Sequence, residues 1–256
     1  MKRTTIFWIL AFLITIVSAL FQRVTGPTYP LSGTVDFEGK KIAYKLERSH
    51  NSDKNYMVKI CTKDPFTHGV LYFRKFGNVE NFTAVDMIVG GKDTIIAEMP
   101  AQQRLQKLEY FIMIFKGDLT TTIPLNNKVV IRFKDSVPLW VLIPHIFAMF
   151  FAMMLSTRTG LEYFSKEPKL EKLSLWTIII LFIGGFPLGF LMNGLAFGEV
   201  WGGFPFGSDV TDNKTQIAFI FWLFAFYMIK KNKQPKLWAL LAAILLIIAY
   251  SIPHSI

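Results

Sequence analysis

Four histidines, one cysteine and 18 carboxylates bound whatever chemistry this chain of 256 residues performs. His145 and His254 stand out, because each closes an Ile-Pro-His triplet, Ile143-Pro144-His145 and Ile252-Pro253-His254. Both fall in or beside strongly apolar runs, where an ionisable group is costly and usually serves a function. Two imidazoles on facing helices would hold a haem b or a metal ion. One alone would move a proton or meet a quinone, and a purely structural one would bond a neighbouring helix, including a carbonyl freed by Pro144. His145 lies roughly 12 Å into its run at 1.5 Å per residue, whereas His254 lies close to the end of its own. That offset argues against a matched pair of haem ligands.

The second set of candidate groups sits in the connection Gly198 to Lys214, which carries Glu199, Asp209 and Asp212 among Trp201, Phe204, Phe206 and several glycines. Three carboxylates offer oxygen ligands to a hard cation, although their spacing matches no calcium loop. A connection so aromatic also reads as a structured cap, and Thr211 or Asp212 would cap the helix that follows. Asn193 is a further polar group in this neighbourhood. Arg158 and Glu162 stand at i and i+4, a spacing that supports a helical ion pair, and Arg158 is long enough to snorkel toward lipid phosphate. His50 and His68 read as solvated loop residues. The chain has no Gly-x-Ser-x-Gly and no His-Glu-x-x-His, and its glycine pairs lack phosphate-binding spacing, so no catalytic residue is assigned and an enzymatic role is not expected. Cys61 stands alone, which excludes an internal disulfide and a cysteine-based zinc site.

The elements that must position these groups follow from the distribution of apolar residues. The composition is 52% hydrophobic and only 18% charged, below the roughly 25% typical of a soluble domain. Charge-free runs cover Thr5–Phe21, Val137–Leu155, Leu173–Phe197, Thr215–Ile229 and Leu237–Ile252. A bilayer core of about 30 Å takes roughly 20 helical residues, and lipid leaves no partner for an open backbone, so each run is expected to be a helix. The third run is punctuated by Gly184-Gly185 and Pro187, where close helix packing explains the glycines best and a transporter-like broken helix is the alternative. Ten Lys and Arg residues fall at the N-terminus and in two of the connections (158–172 and 230–236), against Lys214 alone in the 198–214 connection. The positive-inside rule then faces the basic connections to the cytoplasm, and places residues 23–136, the 198–214 connection and the C-terminus on the extracytoplasmic side of the cell membrane. Residues 1–22 fit either a retained anchor or a secretory signal, since Val17-Ser18-Ala19 offers a small-residue cleavage site.

Between the first two runs the pattern changes. Residues 23–136 bring back polar and β-branched residues in short alternating stretches near 33–38, 42–48, 56–61, 70–75, 84–89, 94–99, 108–116 and 128–134, with tight-turn signals at Glu38-Gly39, Gly90-Gly91 and Gly117-Asp118. This predicts an all-β sandwich. The stretch Gln106 to Ile114, with Tyr110 near its start, resembles the penultimate strand of immunoglobulin-like and fibronectin type III domains, in which such a tyrosine ties back to an upstream loop. The Cys–Trp–Cys core of true immunoglobulin domains is missing. Residues 22–136 hold 17 Lys and Arg against 12 Asp and Glu, a net +5 spread along the segment, which suits a solvated strand face better than nucleic acid.

The expected whole is a multi-pass membrane protein of mixed fold: an anchor or signal (1–22), an exported β-sandwich (23–136) and a four-helix transmembrane bundle (137–256). The function this favours is non-enzymatic, with the sandwich binding a membrane or extracytoplasmic protein partner while the bundle joins a membrane assembly. A haem- or metal-dependent redox subunit built on His145 and His254 is the alternative, and a small transporter a weaker one.

Overall fold

The computed structural model describes residues 3–79 and 81–253. The chain divides into two compact units. One is Thr28–Ser136; the other combines the N-terminal segment as far as Pro27 with the chain from Val137 onward.

In the first unit, alternation of apolar and polar residues produces strands that bury every second side chain. β1 (Leu31–Phe37) and β2 (Lys40–Leu46) form a hairpin, with Glu38 and Gly39 both at positive φ, as a two-residue turn between twisted strands demands. β4 (Tyr56–Cys61), β8 (Thr94–Met99) and β7 (Ile88–Gly91) make a three-stranded sheet in the order β4-β8-β7. The largest sheet runs β3 (Ser49–Asn51), β11 (Val129–Lys134), β9 (Lys107–Lys116), β5 (His68–Lys75), β6 (Thr83–Asp86), with β10 (Leu119–Ile123) also paired to β9. Inward residues of all three sheets, among them Val35, Ile42, Val58, Leu71, Met99, Ile112 and Phe133, share a single core.

Three features differ from the sequence expectation. The stretch near 84–89 is two strands rather than one, because Met87 turns into the core and passes the chain from the largest sheet to the three-stranded one. β3 and β10 are additional strands. His50 and His68 lie in β3 and β5, not in loops; His50 meets the Tyr56 ring at a tilt, centroids 5.1 Å apart, and His68 stacks on Phe115 at 5.7 Å.

The second unit is helical. α1 (Arg3–Thr25), the rod Leu139–Phe164 and the rod Leu170–Phe197 are long and apolar enough to cross a membrane. The first rod is α2 (Leu139–Leu161) with a short 3₁₀ turn. The second is α3 (Leu170–Ile183), a π turn (Gly184–Leu188) and α4 (Gly189–Phe197). α5 (Val210–Lys230) and the shorter apolar α6 (Pro235–Ser251) complete the unit. α2 packs against α1, α3 and α6, and α5 packs against α3 and α6. The glycines of the third apolar run serve close packing: a β-carbon on Gly184 would come within 2.8 Å of Met149 Sδ, and one on Gly185 within 2.7 Å of Thr215 Cγ2. α1 contributes a face of Phe7, Ala11 and Thr15, one residue per helical turn, all buried.

Candidate functional site

The polar residues of the helical unit gather in two places. The first is built around the 198–209 connection. The C-terminus of α4 is closed by Gly198 in a left-handed conformation, and its N–H donates to the Gly194 carbonyl, the usual way of ending a helix at glycine. The chain then folds back along the rod instead of leaving it. The Trp201 ring stacks on Phe186, centroids 5.7 Å apart, and meets Phe190 edge-on at 5.5 Å. Its indole N–H donates to the Phe204 carbonyl at 3.2 Å.

Asp212, only 7% exposed, holds this fold together. One carboxylate oxygen accepts from Asn193 Nδ2 at 3.0 Å, and the other from the Gly202 N–H at 2.7 Å. Asn213 Oδ1 takes the Phe204 N–H at 2.6 Å. Asp209, rather than Thr211 or Asp212, caps α5: its Oδ1 accepts from the N–H groups of Thr211 and Asp212 at 2.8 and 3.0 Å. The difference follows from the helix beginning at Val210, five residues before the charge-free run, which puts Asp209 at the cap and Asp212 inside the first turn. Glu199 lies beside the same loop, because a β-carbon on Gly202 would stand 3.5 Å from its carboxylate and 3.2 Å from Asp209 Cβ. Asn193, Glu199, Trp201, Asp209 and Asp212 are therefore assembled around Gly202-Gly203. Among the described residues no group of three or more His, Cys, Asp or Glu side chains is close enough together to hold a metal ion.

His145 makes its hydrogen bond elsewhere, on the π turn. Its Nδ1 lies 3.0 Å from the Gly184 carbonyl. A carbonyl can only accept, so Nδ1 carries a proton, and in the neutral ring Nε2 presents the lone pair. His254 lies outside the described residues.

The second place is the end of α2 near residue 158. Arg158 does not snorkel: it is 3% exposed, and its Nη1 sits 2.6 Å from Glu162 Oε1, itself buried. The reason is α1, whose Phe7 and Trp8 rings each lie 5.4 Å from the guanidinium carbon and cover it. Arg158 Nε has no hydrogen-bond acceptor among the described residues, so the ring faces supply its negative environment. Glu162 Oε2 also accepts from the Lys169 N–H at 3.2 Å. Nearby, Trp222 Nε1 donates to Ser156 Oγ at 3.2 Å, and the hydroxyls of Thr159 and Thr177 lie 3.4 Å apart. Phe7, Trp8, Ser156 and Trp222 were not among the candidate residues. The polar pentad Ser156 to Gly160 inside an apolar stretch was the available signal, since all five are buried.

In the β unit, Tyr110 donates its hydroxyl to the Glu47 carbonyl at 2.9 Å, and Glu47 N–H donates in turn to Tyr56 Oη at 3.1 Å. This tie spans 63 residues of chain. Burial pushes both phenols above their ordinary range, so each stays protonated. On the outward face of the β5–β9 pair, Tyr72 stacks on Phe111 at 5.0 Å, and Arg74 Nε pairs with Glu109 at 2.5 Å. β7, the edge of the three-stranded sheet, is different in kind. Ile88 and Val89 point to opposite faces, yet are 66% and 74% exposed, and among the described residues no strand pairs with the outer edge of β7.

No model of a known protein family matches the chain, and no curated protein sequence matches it.

Proposed function

We propose that the chain is a multi-pass protein of the cell membrane that binds an extended segment of a partner protein along β7. The β unit is taken as an immunoglobulin- or fibronectin III-like sandwich on the extracytoplasmic side, with the basic connections of the helical unit in the cytoplasm, as the positive-inside rule requires. α2, the α3–α4 rod, α5 and α6 then form a four-helix transmembrane bundle, and α1 is a retained fifth span. The observation that carries this reading is the apolar, doubly bare edge at Ile88 and Val89. Natural sheets blunt their edges with charge, proline or cover, and an edge left apolar offers main-chain hydrogen bonds to a strand from another chain.

The test is a photo-crosslinking residue at Val89 in otherwise native membranes. The proposal expects a protein adduct at that position that disappears when Ile88 is replaced by aspartate. Adducts with lipid alone, or none, overturn it.

A second reading draws on His145. The Gly184 hydrogen bond orients the ring with Nε2 as lone-pair donor, the arrangement found in metal- and haem-binding histidines. Together with His254 it would make the chain a haem- or metal-dependent membrane redox subunit. A Soret band in detergent-purified protein, lost in His145→Ala, would favour that reading over the first.

A further inference from the structure

We infer that the Val200–Gly207 segment is a re-entrant loop that inserts Phe204 and Phe206 into the lipid of the bilayer that the helical unit spans. Three independent observations meet here. The first is depth. Trp201 packs on Phe190 and Phe186, which precede the end of the apolar rod at Phe197 by about 10 and 16 Å at 1.5 Å per residue. Asn193, bonded to Asp212, is one helical turn below the same end. The loop thus lies alongside the span and not beyond it.

The second observation is polar satisfaction. Backbone placed at membrane depth must find its partners within the protein. Here the Gly202 N–H goes to Asp212 and the Phe204 N–H to Asn213. The N–H groups of Phe206 and Gly207 both go to the Gly203 carbonyl, each at 2.9 Å, and the Asp209 N–H goes to the Gly202 carbonyl at 2.8 Å. Pro205 has no N–H to place. The N–H groups of Gly202, Phe204, Phe206, Gly207 and Asp209 thus all find partners within the chain.

The third is what remains outside. With its backbone folded inward, the loop leaves Phe204 68% and Phe206 82% exposed on either side of Pro205. Phenylalanine at that exposure suits the acyl and glycerol layer, while Trp201, with its N–H satisfied, packs beneath. The close approach that lets the loop turn depends on glycine: a β-carbon on Gly207 would lie 2.4 Å from the Gly202 carbonyl oxygen. The inference does not rest on the partner-binding reading of β7.

The single native cysteine makes the test direct. In a Cys61→Ser background, nitroxide labels are placed at Phe204→Cys and, separately, Phe206→Cys, and the full chain is reconstituted into phosphatidylcholine–phosphatidylglycerol vesicles. Collisions with oxygen, which concentrates in lipid, are compared with collisions with water-soluble nickel–EDDA. The wild-type chain labelled at the exposed Cys61 gives the aqueous reference. The expected result is a loss of nickel collisions relative to that reference, with oxygen collisions retained, at both loop positions. Nickel collisions equal to the reference would place the loop in water. Low collisions with both reagents would mean that protein covers it, a second copy or another chain. Either result overturns the inference. Gly207→Ala is a second check: by forcing the loop open it is expected to raise nickel collisions at position 206, and an unchanged ratio counts against the loop's closure as the cause.

Discussion

The two units bury carboxylates in opposite ways. In the β unit, Asp64 accepts from two lysines, Lys116 at 2.7 Å and Lys40 at 3.2 Å, as well as from the Phe66 N–H at 2.9 Å. Both ammonium groups reach solvent, so the charge is balanced by flexible, partly hydrated partners. In the helical unit, Asp212 is held by fixed, neutral N–H donors, and Glu162 by a guanidinium sealed beneath two aromatic rings. Where water is at hand a lysine is an inexpensive counter-ion. Among apolar helices the donors must be immobile and the whole group closed off, because every unpaired charge or amide there bears its full desolvation cost.

That contrast can be broken or sharpened by substitution. The largest effect is expected at the sealed pair. Arg158→Met leaves Glu162 buried without its counter-ion and should lower stability by about 3–5 kcal/mol, whereas the double replacement Arg158→Met with Glu162→Met should recover much of the loss. Thermal unfolding in detergent, read from tryptophan emission, measures both, with Glu162→Met alone completing the cycle; a double loss equal to the sum of the two single losses would mean that the pair carries no coupling. Next comes Asp212→Ala, which strands the part-buried Gly202 N–H and Asn193 amide at a cost of about 1 kcal/mol for each. Asp212→Asn, which keeps one acceptor oxygen, should lose less, and protease cleavage within the 198–209 loop gives the order.

The lysine-balanced carboxylate should respond to pH instead. The ammonium groups of Lys116 and Lys40, with the Phe66 N–H, hold the Asp64 carboxyl well below its usual range, and Lys116 is held correspondingly up. A carboxylate depressed in the folded state adds stability above its unfolded pKa of about 3.9, and that contribution is lost as pH falls toward the folded value. Pulse-labelled hydrogen exchange of the β unit, after equilibration between pH 6 and pH 3, should therefore show a destabilisation on acidification that Asp64→Asn reduces. The smallest change is expected from Tyr110→Phe, which removes the tie to the Glu47 carbonyl for about 1 kcal/mol. Faster exchange confined to strands β2, β4 and β9 would confirm that the tie is local.

Much of this was legible beforehand, for reasons that differ by region. Alternation is a local signal, so strands such as β4 and β9, buried at every second residue, could be read directly from the chain. β3 could not: Ser49-His50-Asn51 has no pattern of its own and exists as a strand because β11 pairs with it in parallel. The Asp209–Asp212 neighbourhood was legible as a cluster, because loop composition shows where polar and aromatic residues are concentrated. The role of each carboxylate was not, because it depends on helix α5 starting at Val210. The lid over Arg158 was invisible. Nothing in the spacing of Phe7 and Trp8 names a guanidinium some 150 positions further along the chain as their companion.

The π turn at Gly184–Leu188 has a consequence for the loop that follows. A wide turn accommodates one residue more than an ordinary helical turn does, so it resets the azimuth of everything downstream. Were the same residues wound as uninterrupted α-helix, with none removed, α4 would be rotated by about 100°. Asn193 would swing off Asp212, and the Phe190 edge off Trp201, with the rod itself intact. The bulge acts as the phase adjuster between the apolar rod and the loop docked against its side.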